Sequence, residues 1–247
     1  MIAWQAWGGV WLSIRLGTLK PAPDKWQQLV AETAGEMEVS PRPRVFVANT
    51  ATLNAFAYQA GHAIFLTRPL LDHLSEQQVR ALTAHELGHL QEGRSSHFLR
   101  VAQPLIYAPI LCLNPLLSKF DFGISLLICL GGFILASRLY ARFLQRAEFQ
   151  ADATGHEDLD ATHLAEALVI LYRENLIPAV LHRGGFKSHP DLYDRIVALG
   201  VTPDFDHPAK PQPPLMALLA IACIFVIGII LLGMEVAIQL FREQGLF

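Results

Sequence analysis

Three stretches of this 247-residue chain carry no charged side chain at all: Val101–Ser118, Phe122–Ser137 and Pro211–Met234. Runs of this kind are excluded from a water-facing surface and must be covered by protein or by lipid. The whole chain is 52% hydrophobic and 17% charged, against roughly 25% charged in soluble domains. The first two runs are separated only by Lys119, Phe120 and Asp121. As helices they would extend roughly 24–27 Å, slightly short of the ~30 Å hydrocarbon core. Pro104, Pro109 and Pro115 interrupt the first. A helical hairpin that crosses or deeply enters the bilayer fits better than a buried soluble hairpin. In the third run, Leu215–Met234 is long enough to span.

The flanking charges orient these segments. Arg94 and Arg100 precede the hairpin, Arg138, Arg142 and Arg146 follow it, and Lys210 precedes the last span. The opposite side holds Lys119 and Arg242, so the globular part is expected on the cytoplasmic side. Trp4, Trp7 and Trp11 share helical spacing ahead of Arg15 and Lys20, which reads as an interfacial helix over residues 1–20. The expected organisation is that helix, a globular domain from 21–100 and 138–210, the hairpin 101–137 inserted in it, and a final span over 211–240. A net charge of −3 argues against a nucleic-acid partner. Cys112, Cys129 and Cys223 all lie in apolar runs without a CxxC pair, so neither a disulfide framework nor a cysteine metal site is expected.

Within the globular part, a polar helix is expected from Asp24 to about Met37, with strands at Arg44–Ala48 and His62–Thr67. Ser75 opens the best-signalled helix. Ser75 and Gln78 form a capping box, Val79, Leu82, Leu87 and Leu90 follow, and Gly93 is placed to stop it. In the middle of this helix stands His85-Glu86-Leu87-Gly88-His89. Residues four apart lie on one helical face, so both imidazoles can meet one Zn²⁺, while Glu86 is placed to take a proton from metal-bound water. Catalytic zinc takes a third protein ligand. Glu148 and Asp152 lie four apart on a second helix, Glu148 as a ligand and Asp152 as the hydrogen-bond acceptor that fixes a ligand histidine. Ser188-His189-Pro190 with Arg195 admits two readings: donors to an oxyanion or substrate carbonyl, or a helix start with an exposed arginine.

These residues, together with Asn54-Ala55-Phe56-Ala57 and Thr67-Arg68-Pro69-Leu70-Leu71, resemble the M48 family of integral-membrane metallopeptidases, which includes the HtpX heat-shock protease and the CAAX-processing prenyl protease. Order and spacing agree from about Arg44 to Leu199. The resemblance implies an α+β, mainly helical, gluzincin-type zincin fold with a small sheet plus transmembrane helices. It implies one zinc per chain on His85, His89 and Glu148, a protein or peptide substrate laid along Asn54, Ala55 and Phe56, and metalloendopeptidase activity with Glu86, His189 and Arg195 as catalytic groups. A bacterial inner-membrane location with the lipid bilayer as partner goes with it. The chain departs from the HtpX layout in its tryptophan-rich first 20 residues and in its final span. The rival reading is a zinc-binding membrane scaffold or chaperone-like protein without proteolysis. The presence of every expected catalytic group argues against it.

Overall fold

The computed structural model describes residues 9–93, 99, 103–156, 161–180, 190–207 and 209. The described residues fall into two compact units, one of 103–141 and one of the remainder. The apolar run Pro211–Met234, together with Trp4, Trp7 and His189, lies outside the described residues.

The larger unit is built on a four-stranded mixed sheet and the helices packed on it. Helix α1 (Gly9–Arg15) ends at Gly17, whose φ of +73° turns the chain into strand β1 (Leu19–Pro21). The expected helix over residues 1–20 is therefore shorter at its C-terminal end. Leu19 is drawn into the sheet because its side chain joins Phe46, Ala48, Ala63 and Phe65 in a cluster on which Val10 of α1 packs. Trp11 remains exposed, with the Arg15 guanidinium 4.8 Å from its ring centre. Helix α2 (Asp24–Glu36) follows, then strands β2 (Arg44–Ala48), β3 (Ala55–Tyr58) and β4 (Ala63–Thr67). The order is β1-β2-β4-β3, with β2 and β4 parallel and both outer pairs antiparallel. Every residue of β4 is buried, as befits a strand flanked on both sides, while β3 is an edge.

Strand β3 alternates cleanly. Ala55 and Ala57 face the main core, whereas Phe56 stacks on Phe65 and Tyr58 meets it edge-on, with ring centres 4.7 and 5.7 Å away. The short helix α3 (Arg68–His73) then leads to α4 (Glu76–Gln91). The capping box is formed as expected: the Gln78 N–H donates to Ser75 Oγ and the Ser75 N–H to Gln78 Oε1. Helix α4 runs through the core, with Val79, Leu82, Ala84 and Leu87 all buried, so its middle turns cannot shift without opening a cavity.

In the smaller unit the first apolar arm is not one helix. It is a 3₁₀ turn (Gln103–Tyr107) followed by α5 (Ala108–Leu111) and α6 (Leu113–Leu117). Its prolines each remove a backbone donor and obstruct the preceding turn. Pro109 lies against Gly132 of the next helix, where an added Cβ would meet the ring at 3.1 Å. That next helix, α7 (Phe122–His156), is continuous for 35 residues and begins where Asp121 Oδ1 accepts the Ile124 N–H at 2.9 Å. Among the described residues it is the one helix long and apolar enough to cross a membrane. Its apolar part ends at Ser137, and its later turns, from Arg142 onward, belong to the larger unit. The expected boundary after residue 137 thus falls inside a single helix. Helices α8 (Ala161–Glu174) and α9 (Leu192–Ala198) complete the larger unit.

Candidate active site

The site forms where α4 meets the last turns of α7. Gly88 and Ala151 are the point of contact: a Cβ built on Gly88 would lie 3.2 Å from the Ala151 Cα and 3.3 Å from its carbonyl oxygen. Glycine is needed there because the helices approach backbone to backbone. Gly88 stands between His85 and His89, and Ala151 between Glu148 and Asp152, so this approach brings the two pairs together.

His85 Nε2 lies 3.7 Å from one oxygen of Glu148, and His89 Nε2 lies 3.5 Å from the other. One donor atom from each of the three side chains lies within 4.8 Å of the other two, and all three residues are buried. Donors about 2 Å from a common tetrahedral ion are about 3.3 Å apart, so the set needs only small inward movement to hold one. Two imidazole nitrogens and a carboxylate also match the chemistry of an open catalytic zinc site.

Each imidazole has a carboxylate behind it. Asp152 Oδ1 lies 2.8 Å from His85 Nδ1, off the line of the ring N–H. The Arg195 guanidinium grips Asp152 with two bonds, Nε to Oδ2 at 2.8 Å and Nη2 to Oδ1 at 2.6 Å. Burial would raise the Asp152 carboxyl, but the His85 and Arg195 contacts outweigh it and hold it at about 2. Burial likewise disfavours the Arg195 cation, and Asp152 more than offsets this, so its pKa is raised. At 4% exposure Arg195 is not the surface residue of a helix start. Its fork is committed to Asp152, with Nη1 3.7 Å from Glu148.

Behind His89 stands Glu92, whose Oε1 is 2.6 Å from Nδ1. Burial works against the His89 cation, but Glu148 and Glu92 prevail and raise its pKa to about 10. A bound metal ion would take the place of that proton. Helical spacing marks Asp152, whereas Glu92, Gln59 and Tyr172 join the site only through the fold. A carboxylate three residues after His89 does not stand apart in the sequence from an ordinary charge after a helix, and Gln59 and Tyr172 carry no spacing signal.

Glu86 points from α4 towards the sheet edge, where its Oε2 accepts the Ala57 N–H at 2.7 Å. Burial raises its pKa, with Glu148 adding to the effect and the two histidines and the Ala57 N–H opposing it. A cleft of about 640 Å³ opens over these groups. Asn54, Ala55, Phe56 and Ala57 line one side, and Leu171, Tyr172 and Asn175 are among the residues of α8 and its end that line the rest. The backbone entering β3 is clamped by the Asn175 side chain, which accepts the Leu53 N–H at 3.0 Å and donates to its carbonyl at 2.6 Å. Asn54 is fixed by its own N–H donating to Thr67 Oγ1 at 2.8 Å. The structure thus brings together His85, Glu86, His89, Glu148, Asp152, Arg195 and the Asn54–Phe56 segment.

The comparisons with known proteins bear on this arrangement. A Protease HtpX homolog of Thermoplasma volcanium is 32% identical over 87 residues, 33% of this chain and 28% of that protein. Protease HtpX homolog 1 of Sulfolobus acidocaldarius is 39% identical over 71 residues, 28% of this chain and 23% of that protein. These matches span about a quarter of the relatives' lengths. Protease HtpX of Pseudomonas aeruginosa strain PAO1 is 29% identical over 206 residues, 70% of each chain. Among solved structures, S. mikatae Ste24p shares the fold with a TM-score of 0.57 at 19% identity, over 73% of this chain and 50% of that one. The family model for Peptidase family M48 matches residues 22–202, a stretch that contains both helices of the site and the edge strand, and the chain accordingly belongs to that peptidase family.

Proposed function

We propose that this protein is a zinc-dependent endopeptidase that hydrolyses peptide bonds of membrane-associated or misfolded proteins. The observation that carries the reading is the convergence of His85 Nε2, His89 Nε2 and Glu148, with Glu86 beside them and bonded to the edge strand β3. His85, His89 and Glu148 would hold the ion, which when bound supplies a Lewis acid that lowers the pKa of a water molecule towards about 7.

The protein's own groups account for the other steps. The Glu86 carboxylate takes a proton from the attacking water and passes it to the leaving amine. Its burial lifts its proton affinity, which suits a base that must also act as an acid. The substrate lies extended along β3. The Thr67 N–H donates to the Asn54 carbonyl, which marks Asn54 and Thr67 as a hydrogen-bonded pair of the antiparallel ladder. By alternation, Phe56 and Tyr58 also bond β4, and Ala55 and Ala57 turn their peptide groups outward. The Ala57 N–H is already bonded to Glu86, so an extended peptide would pair with the main chain of Ala55 and with the Ala57 carbonyl. The ring of Phe56 is engaged in stacking on Phe65, so recognition along β3 rests on main-chain groups. Arg195 acts through Asp152 on the orientation of His85, in place of the direct contact with a substrate carbonyl expected from the sequence. His189, proposed as a donor to the anionic intermediate, lies outside the described residues.

The membrane part of the reading rests on α7, where Ile124, Leu127, Ile128, Ile134 and Leu135 are exposed. Lipid is the partner that covers such a surface, with the bilayer of a bacterial inner membrane and a cytoplasmic catalytic domain as the proposed setting. Residues 21–100 and 138–210 form the catalytic domain in this reading, 101–137 the membrane insertion, and 211–240 a further span.

The test is Glu86→Gln in the full chain. The variant is expected to keep stoichiometric zinc and to lose cleavage of an unfolded protein substrate such as casein by at least about 100-fold. Full activity in a zinc-loaded variant overturns the mechanism.

A further inference from the structure

The carboxylate of Glu92 sits where helix physics does not favour it. Glu92 is the residue at which α4 ends, with φ −52° and ψ 136°. Acidic side chains are disfavoured at the negative end of the helix dipole. Burial raises the cost further, yet the side chain is only 4% exposed. An ordinary charge at a helix end would turn to water.

This one turns back. Its Oε1 lies 2.6 Å from His89 Nδ1, and its Oε2 lies 3.4 Å from Gln59 Nε2. Gln59 Nε2 also donates to the His89 carbonyl oxygen at 2.6 Å. Gln59 opens the 3₁₀ turn Gln59–Gly61, which directly follows β3. Side chain and backbone of His89 are thus held by a two-residue bracket anchored at the end of the edge strand.

We propose that Glu92, steadied by Gln59, is a positioning residue for His89: it accepts the Nδ1 hydrogen and fixes the ring so that Nε2 faces His85 and Glu148. The inference rests on the zinc reading given above and extends it to a residue outside the ligand set. Imidazole ligands bind metal through one nitrogen while the other donates to a carboxylate or carbonyl, and loss of that partner weakens metal binding by about 10- to 100-fold. His85 has Asp152 in this position. Glu92 gives His89 the same support from its own helix.

The experiment compares the full-length wild type with Glu92→Gln, Glu92→Ala and Gln59→Ala in detergent. Zinc affinity is read by competition with a chromophoric chelator, and site geometry by the visible absorption of the Co²⁺-substituted proteins. Melting of the metal-free forms reports folding. Glu92→Ala is expected to bind zinc about 10- to 100-fold more weakly. Glu92→Gln keeps an oxygen acceptor and falls between it and wild type, with Gln59→Ala weaker than wild type by less than Glu92→Ala. The Co²⁺ bands of Glu92→Ala shift, and metal-free melting remains a cooperative transition, which shows that the variant is folded. If the alanine variant does not fold, the near-isosteric Glu92→Gln decides. Wild-type zinc affinity and an unchanged Co²⁺ spectrum in Glu92→Gln and in any folded Glu92→Ala overturn the inference while leaving the zinc site standing. A wild-type chain that takes up no zinc overturns the reading beneath it, and this inference with it.

Discussion

His85 and His89 stand one helical turn apart on α4 and present the same nitrogen to Glu148, yet their backing differs in origin. His85 is backed by Asp152, which stands 67 positions further along the chain and is itself gripped by Arg195, 43 residues beyond. His89 is backed by Glu92, three residues away, and by Gln59 at the end of the edge strand. The first arrangement joins three helices, α4, α7 and α9, through a buried ion pair. The second is a local bracket. The difference teaches that two ligands of one site can be held by forces of different kinds: one support belongs to the tertiary fold, the other to the geometry of a helix end.

The contrast is broken most directly at Arg195. Replacing it by Met leaves the Asp152 carboxylate buried without its cation, a change expected to cost about 3–5 kcal/mol of stability. Glu92→Gln takes one carboxylate from the protonated His89 but leaves it Glu148, and should cost less, about 1.5–3 kcal/mol. Thermal unfolding of the metal-free proteins measures both, and equal losses would abolish the distinction. The pH dependence has a defined sign. In the wild type Asp152 is held at about 2, below its ordinary 3.8. Its contribution is therefore complete above the ordinary value and is lost as the pH falls from about 4 to about 2. In Arg195→Met the carboxyl prefers its proton, so the stability deficit should shrink as the pH is lowered from about 7 to about 4.

A second test addresses the contact the two histidines share. Gly88→Ala gains about 1 kcal/mol of helix propensity and loses about 1–3 kcal/mol by pressing a methyl group on the Ala151 backbone. The net change in stability is expected to stay under about 2 kcal/mol. Zinc affinity should nevertheless fall, because α4 and α7 must separate by a few tenths of an ångström and carry Glu148 away from both imidazoles. Chelator competition and melting, measured on the same variant, separate the two effects.

How far the sequence reveals this site follows the same division. The Ser75 capping box and the apolar rhythm of α4 are local signals, and the structure forms them where expected. Asp152 was readable because it stands four residues from Glu148 on one helix. Strand β3 was not readable from its own residues: Ala-Phe-Ala-Tyr is short, half alanine, and becomes a strand through its pairing with β4. Strand β1 ends in a proline, which weakens any strand signal and is tolerated because this is an edge. Arg195 looked equally suited to a helix surface, since nothing in a seven-residue helix announces that its partner lies on α7. Glu92 looked like an ordinary charge after a helix, and only the turn of its side chain sets it apart. The proline-broken first arm is visible as prolines, but the division into α5 and α6 falls at Cys112, which no proline marks.

The smallest expected effect comes from the far end of α4. Ser75→Ala removes the hydroxyl that accepts the Gln78 N–H at 3.3 Å and should destabilise the protein by about 1 kcal/mol. Ser75 is ten residues from His85, almost three turns away. The intervening turns are locked by Val79, Leu82 and Ala84 in the core, so fraying at the cap cannot reach the imidazoles. Zinc affinity is therefore expected to match wild type while the melting temperature falls. If affinity fell with it, both histidines would depend on the helix as a whole, and separate supports from Asp152 and Glu92 would no longer explain how they are held.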